Sequence, residues 1–368
     1  MRRIGLVLSN SHLLRDYLLQ GVIDHRRAGA DWQVHFLDWP LATGRDLADM
    51  AAWRPDGLLC LEQVGAGLVE ELGVPVVRME SGPGAVVLDE ERIGAAAADH
   101  LLELGLRRLA VIVWASGEEW ATRRAAGFIA TCARGGVIAE RMIGSPRELG
   151  AATVAWARAG AGPSGLFTLH DWLGSVVADA CVDAGIDVPG QLAMVGADDV
   201  GAWCELAPVP LSSVRVPHRA AARAAAAQLD RVLDGAPPAR SQLRLPPLGV
   251  TVRRSTKLDV IDDPALRRAL DCIAERAVRG AGVAQVVAAS GIGRRAVEKR
   301  FRARLGRTIL QTIHRTRIDL AVALLTDSKL SIPTIASRCG FANAARFIEA
   351  CRRHAGTTPG ALRRLNRR

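Results

Sequence analysis

No apolar run in these 368 residues approaches the ~18 residues that a membrane-crossing helix needs, which argues against a helical membrane span. The opening MRRIGLVLSNSHLLRD holds an apolar stretch too short for a secretory signal, so the chain is expected to be cytoplasmic. Its seven cysteines (Cys60, Cys132, Cys181, Cys204, Cys272, Cys339 and Cys351) are odd in number, scattered and without a CxxC pair. That pattern indicates neither a disulfide frame nor a metal site, and the thiols read as small buried apolar residues. Glycine-rich phosphate loops are missing too. The first apolar run is followed by SNSHLLRD, which has no G-x-G-x-x-G, and there is no Walker loop, G-x-S-x-G elbow or H-E-x-x-H. Adjacent residues point in different directions, so His170-Asp171 reads as a capped helix start with Asp171 near its N-terminus, not as an acid–base pair. The expectation is a protein that is not an enzyme and carries no cofactor.

What is present is a globular composition, 49% hydrophobic and 23% charged, too long for one ordinary core and suggesting two or three domains. Charge divides unevenly along it. Residues 253–368 hold 25 Lys+Arg against 9 Asp+Glu, a net +16, leaving 23 against 29, a net −6, for residues 1–252. A basic C-terminal third on an acidic body is the electrostatic footprint of a nucleic-acid module joined to something else.

That basic third contains a repeat. Val297, Phe301, Gly306 and Thr308 recur as Phe347, Cys351, Gly356 and Thr358 at an offset of fifty, while Gly291 and Gly340 are forty-nine apart. A short helical segment precedes each glycine, VAQVVAAS in one copy and SIPTIASRC in the other. Helix, glycine turn, helix is the helix-turn-helix unit. Val297 and Phe301 share one face and bury it, so the opposite face presents Arg295, Glu298, Lys299 and Arg302, with Arg294 at the helix start. Such side chains reach base edges or phosphates from a helix in the major groove. The second copy offers Ala345, Ile348, Glu349 and Arg352 on its outer face, preceded by Asn343. The first helix is therefore expected to read sequence and the second to add phosphate contacts through Arg346, Arg352 and Arg353; whether the second also reads bases stays open. Between them, TILQTIHRTRIDLAVALLTDS has helical spacing and no Pro or Gly, which predicts a continuous helix holding two readers apart.

GIGRRAVEKRFRARLG, ALLTDSKLSIPTIASRCGF and RRHAGTTPGALRR together resemble the DNA-binding domain of the AraC/XylS family, over about residues 262–366. The resemblance implies two helices inserted into successive major-groove segments on one face of DNA. Cys351 departs from it, standing where an aromatic residue usually packs, and a smaller second core is expected there.

The first 250 residues alternate apolar runs (RIGLVLS, DGLLCLE, VPVVRM, RRLAVIVW, GLFTL, QLAMVGA) with helical stretches, which predicts parallel sheets covered by helices. VLDEERIGAAAADHLLELGLRRLAVI, RRAAGF and AMVGADDVGAWCELAPVPLSSV resemble the ligand-binding domain of the LacI/GalR type, related to periplasmic sugar-binding proteins, over about residues 3–252. The resemblance implies two lobes crossed three times by the chain. It also implies sugar-hydroxyl contacts at Asp89, five before Gly94, at Arg124, three before Gly127, and at Asp198 in V-G-x-D-D. Carboxylates accept from paired hydroxyls and a guanidinium donates to their oxygens. Trp120 stacks on a sugar face or belongs to the core, and His170 contacts ligand or caps a helix.

The expected fold class is thus an α/β two-lobed periplasmic-binding-protein-like domain over residues 1–252, a linker over 253–263, and an all-α double helix-turn-helix domain over 264–368. This order, with the PPLGVTVRRST junction, resembles regulators of the xylose-operon type. The function implied is a ligand-responsive, sequence-specific transcription regulator, an activator of sugar catabolism with a monosaccharide effector such as xylose. Expected partners are double-stranded operator DNA, the sugar, a second copy of the chain and RNA polymerase, with no membrane. The alternative is a DNA-binding regulator whose N-terminal domain binds a non-sugar effector or only dimerises.

Overall fold

The computed structural model describes residues 1–368 except 10–13, 40–43, 62–71, 80, 81, 83, 115–117, 238, 258–262, 306–307, 328–329, 356–357, 361 and 364–368. The chain divides into two compact units. One joins Met1–Asp89 to Val216–Pro246, and the other joins Glu90–Arg215 to the described residues from Pro247 to Arg363.

The first unit begins with β1 (Arg2–Ser9), α1 (Arg15–Arg27), β2 (Trp32–Trp39), α2 (Gly44–Trp53), β3 (Gly57–Cys60), β4 (Val76–Arg78) and β5 (Val86–Leu88). The second takes over with α3 (Glu90–Glu103), β6 (Leu109–Trp114), α4 (Glu119–Arg134), β7 (Glu140–Gly144), α5 (Pro146–Arg158), β8 (Ser164–Thr168), α6 (Asp171–Asp183), β9 (Leu192–Ala197), α7 (Gly201–Leu206) and β10 (Ser212–Val214). The chain then returns to the first unit for α8 (His218–Leu233) and β11 (Leu243–Leu245), and finishes in the second with β12 (Val250–Thr251), a 3-10 turn at Arg254–Thr256 and the helical region.

In the first unit a four-stranded parallel sheet runs β2-β1-β3-β4, and β5 pairs in parallel with β11. Alternate residues of β1, Ile4, Leu6 and Leu8, bury against Leu18 and Val22 of α1 and the alanines of α8. These helices lie so close that a Cβ on Gly21 would stand 2.3 Å from the carbonyl oxygen of Arg219. Asp230 of α8 accepts from Arg2 Nη1 at 2.7 Å and Trp32 Nε1 at 2.8 Å and lies 2.6 Å from His25 Nε2, so its charge is compensated.

The α/β part of the second unit is a six-stranded sheet in the order β12-β10-β9-β8-β6-β7, parallel apart from β12 on β10. Its inner strands β6, β8 and β9 are buried almost throughout, as a sheet covered on both faces requires. The apolar runs picked out from sequence fall on β1, β3, β4, β6, β8 and β9, and the parallel expectation holds.

The helical region comprises α9 (Pro264–Arg276), α10 (Val283–Ser290), α11 (Arg294–Leu305), α12 (Ile309–Asp327), α13 (Ile332–Arg338) and α14 (Ala344–Ala355). The expected continuous helix is α12, 19 residues long and, at ~1.5 Å per residue, about 28 Å. Its first half gives Ile309 and Ile313 to a core with Leu266, Val286, Val297 and Phe301. Its second half gives Ile318, Ala321 and Leu325 to a core with Ile335, Phe341, Phe347 and Cys351. One rod therefore braces both repeats. Gly291 (φ 73°) and Gly340 (φ 76°) end α10 and α13 in the left-handed conformation that favours glycine. At Cys351 the smaller side chain leaves no exposure: it is 0% accessible, and Phe341 and Phe347 meet beside it with ring centroids 5.2 Å apart. All seven cysteines are buried. Gly306 and Gly356 of the repeat lie outside the described residues.

Candidate functional site

In the second unit, three neighbouring parallel strands deliver side chains at their C-terminal ends, where open α/β sheets place ligand sites. Trp114 closes β6, His170 follows β8 and Asp198 follows β9. Arg124, on the second turn of α4, stands among them. Its position follows from two glycines. A Cβ on Gly94 would lie 1.9 Å from the carbonyl oxygen of Arg124, and one on Gly127 would lie 2.0 Å from that of Glu91. Glycine at both points lets α3 and α4 cross with backbones in contact, which sets Arg124 against Glu90.

The guanidinium of Arg124 is 3% exposed. Nε donates to Glu90 Oε2 at 2.7 Å, and Nη1 donates to the carbonyl oxygen of Leu169 at 2.6 Å and to Asp198 Oδ1 at 3.3 Å. Burial by itself lowers its pKa, but Glu90 and Asp198 more than offset this and hold it above the usual arginine value. Its Cζ lies 5.0 Å from the ring centre of Trp120. Of the residues expected at the sugar, the structure thus brings together Trp120, Arg124, His170 and Asp198; Asp89 belongs to the first unit, where its N–H donates to Leu245.

His170 caps α6: its Nδ1 accepts from the N–H of Leu173 at 3.2 Å. Capping is one of the two roles that the sequence allowed His170, and it leaves Nε2 to carry the proton of the neutral ring. Burial, with Arg124 nearby and only partly countered by Asp198, lowers its pKa to about 4. The ring stacks on Trp172 at an interplanar angle of 13°, and Trp114 and Trp120 stand at 6.3 Å and 6.2 Å from it. Asp171 turns the other way: Oδ1 accepts from Ser213 Oγ at 2.6 Å and Oδ2 from the N–H of Val200 at 2.7 Å. Burial, reinforced by Asp198, raises its pKa to about 8.

Asp198 and Asp199 both adopt positive φ, 98° and 56°. Non-glycine residues there carry strain of order 1–3 kcal/mol each, and the bonds from Val200 to Asp171 and from Asp199 N–H to Ser213 Oγ at 3.0 Å hold the turn.

Three residues escaped the sequence reading. Glu90 was passed over for its neighbour Asp89, although it falls on the buried stripe of α3 with Ile93, Ala97 and Leu101, a helical phase visible in the sequence. Trp114 and Trp172 join the aromatic group only because β6 and β8 lie side by side, with ring centroids 5.5 Å apart, and no local signal announces that.

On the helical region, Val297 and Phe301 are fully buried, and Arg294, Arg295, Lys299 and Arg302 are exposed on α11. Glu298, half-buried, pairs with Arg294 at 2.9 Å. On α14, Arg346, Glu349, Arg352 and Arg353 are exposed, with Glu349 and Arg353 paired at 2.7 Å. Such exposed pairs contribute about 0–1 kcal/mol, so they do not lock these side chains in place. Asn343 has a structural duty that the sequence did not reveal: its Oδ1 accepts from the N–H of Arg346 at 2.9 Å, capping α14. Among the described residues no helix is long and apolar enough to cross a membrane.

Residues 98–256 match the description of a periplasmic binding protein-like domain, and residues 286–365 that of a helix-turn-helix domain. The xylose operon regulatory protein of Escherichia coli K12 is 28% identical, over 99% of this chain and 97% of its own length. The solved structure of the xylose-binding transcription activator xylR superposes with a TM-score of 0.61 at 26% identity, covering 100% of this chain and 99% of that one. The transcription regulator GntR of Chromobacterium violaceum superposes on 70% of this chain and all of its own, with a TM-score of 0.54 at 26% identity.

Proposed function

We infer that this chain, a sugar-responsive DNA-binding transcription regulator combining a periplasmic-binding-protein-like domain with an AraC-type paired helix-turn-helix domain, takes D-xylose or a close aldopentose as its effector. The observation that carries this reading is likeness to xylose regulators over essentially the whole chain, in the same domain order.

The site chemistry supports a neutral polyol. Arg124 supplies donors, Asp198 supplies acceptors, and the ring proton on His170 Nε2 supplies one more donor. Trp120, with Trp114 and Trp172, offers apolar faces to the C–H side of a sugar ring. Charge argues against an acidic effector: Glu90 and Asp198 outnumber the one guanidinium between them. Asp89 is assigned to the effector on the resemblance of its own stretch, VLDEERIG, alone. The exposed face of α11 (Arg294, Arg295, Glu298, Lys299, Arg302) reads bases, and Arg346, Arg352 and Arg353 of α14 hold phosphates, with Asn343 and Glu349 beside them. The protein works in the cytoplasm as a homodimer on repeated half-sites and activates transcription by contact with RNA polymerase.

Thermal unfolding of the full-length protein against pentoses, hexoses and sugar acids tests the effector. A ligand at a hundredfold over its Kd adds about 2.7 kcal/mol. The expected result is a rise in Tm with D-xylose, smaller rises with its epimers and none with sugar acids. A rise confined to acids would move the effector to a different class.

A further inference from the structure

From the placement of two adjacent aspartates on opposite sides of one turn, we propose that the Asp199–Arg253 ion pair transmits effector binding to the DNA-binding domain by fastening the ligand-facing turn to the segment that leads into it. The inference rests on the reading of Asp198 as a ligand contact.

Asp198 and Asp199 share the positive-φ turn after β9 but serve different neighbours. Asp198 faces Arg124. Asp199 turns away: Oδ1 accepts from Arg253 Nη1 at 2.8 Å, and Oδ2 from Thr251 Oγ1 at 2.7 Å. Both of those partners come from the far end of the domain, where β12 ends and the chain sets out for α9. Arg253 is held on its other sides by Glu205 Oε1 at 2.7 Å and the carbonyl oxygen of Leu211 at 3.0 Å. Its planar fork therefore has one orientation.

The segment beyond Arg253 is no free tether at its start. Ser255 and Thr256 are each 1% exposed. Ser255 Oγ donates to the carbonyl oxygen of Met194 on β9 at 2.6 Å and accepts from the N–H of Ser212 at 2.8 Å. Thr256 Oγ1 lies 2.7 Å from Ser212 Oγ and 2.8 Å from His100 Nε2 on α3. The same α3 carries Glu90, which fixes Arg124, at its first turn, and at its last turn Glu103, which pairs with Arg315 of α12. The start of the linker is thus bonded to strand, turn and helix that all border the site. A shift of the Asp198–Asp199 turn cannot occur without moving Arg253 or breaking its bond to Asp199, and linkage makes the effect mutual.

Arg253 and Asp199 are positioning residues here, and their signature is a split between binding and response. Full-length wild type, Asp199→Asn, Arg253→Lys and Thr251→Val are compared for D-xylose affinity by calorimetry. Their affinity for a duplex selected by the wild-type protein from a random pool is then measured with and without D-xylose, with melting curves to verify folding. Wild type changes its DNA affinity on adding D-xylose at least fivefold, within the ordinary range of allosteric coupling. Asp199→Asn and Arg253→Lys bind D-xylose within threefold of wild type, yet their DNA response falls below twofold. Thr251→Val, which removes one bond isosterically, gives an intermediate loss. Variants that keep the full response overturn the proposal, as do variants whose sugar affinity drops in proportion to the response, since Asp199 would then belong to the pocket. A wild type that shows no response to D-xylose removes the functional reading, and the inference with it.

Discussion

Arg124 Nε and Glu90 Oε2 lie 2.7 Å apart, both nearly closed off from solvent, at the point where α3 and α4 cross through paired glycines. The guanidinium is therefore a structural counter-ion and, in the function proposed above, also a ligand donor, so its removal should be felt in both ways.

Arg124→Met should cost about 3–5 kcal/mol, because Glu90 and Asp198 are left buried without their partner. Urea denaturation at neutral pH measures this, and the sugar-dependent rise in Tm should vanish in the same variant. An unfolding midpoint equal to wild type would mean that the buried carboxylates do not depend on it.

His170 and Asp171 make opposite contributions to pH dependence. The native His170 pKa of about 4 lies below its ordinary 6.5, so its contribution is fully present above pH 6.5 and is lost as pH falls towards 4. Asp171 is raised to about 8, so its contribution is lost as pH rises from 3.8 towards 8. Between pH 4 and 6.5 folding in effect transfers one proton from His170 to Asp171, and the pair contributes no slope. His170→Asn keeps a good helix cap but removes one half of that balance. Relative to this variant, wild type should gain roughly 1.4 kcal/mol per pH unit across the window, on the order of 3 kcal/mol in all. Chemical denaturation of both proteins at half-unit intervals would show parallel curves if His170 stays protonated in the native state.

The two readers should respond differently to truncation. Arg295→Ala on α11 should cost about 1–3 kcal/mol and relax preference at one base position. Arg352→Ala on α14 should weaken all sequences alike and flatten the salt slope by about one. Titrations on a panel of point-substituted duplexes at several salt concentrations separate the outcomes, and equal specificity losses would mean that both helices read bases.

Gly340→Ala should destabilise more than Gly291→Ala. Both glycines have positive φ, but a Cβ at Gly340 would meet the carbonyl oxygens of Ala277 and Val278 at 2.7 and 3.0 Å, whereas at Gly291 it meets the movable end of Arg268 at 2.9 Å. Backbone cannot retreat as a side chain can, so we expect roughly 1–3 kcal/mol at Gly291 and a larger loss at Gly340. Calorimetric melting of the two variants ranks them.

Inner strands were legible because burial on both faces writes an unbroken apolar run, as in LAMVGA of β9. The strands that escaped detection include one edge strand of each large sheet, β2 and β7. WQVHFLDW and ERMIG carry His, Asp, Glu and Arg because an edge strand is half solvated, and Phe36 of β2 is 49% exposed. The helix-turn-helix pair was legible because a duplicated sequence can be checked against itself. Within the site, Arg124 and Asp198 could be placed by resemblance, whereas Trp172 and Arg253 draw their meaning from neighbours 58 and 54 positions away, Trp114 and Asp199. Arg253 in particular read as linker, since a Pro-containing basic stretch gives no sign of being stitched into a sheet.

The buried cysteines supply a native set of clocks. Burial raises the thiols of Cys132 and Cys339 to about 11 and those of Cys181 and Cys351 to about 12, which silences them towards alkylation while the fold is closed. Cys60 lies in the first unit, Cys132, Cys181 and Cys204 in the α/β part of the second, and Cys272, Cys339 and Cys351 around α12. Timed labelling and peptide mass analysis would therefore report the opening rate of each core in the unaltered chain, and would show which one a sugar or a DNA duplex quiets first.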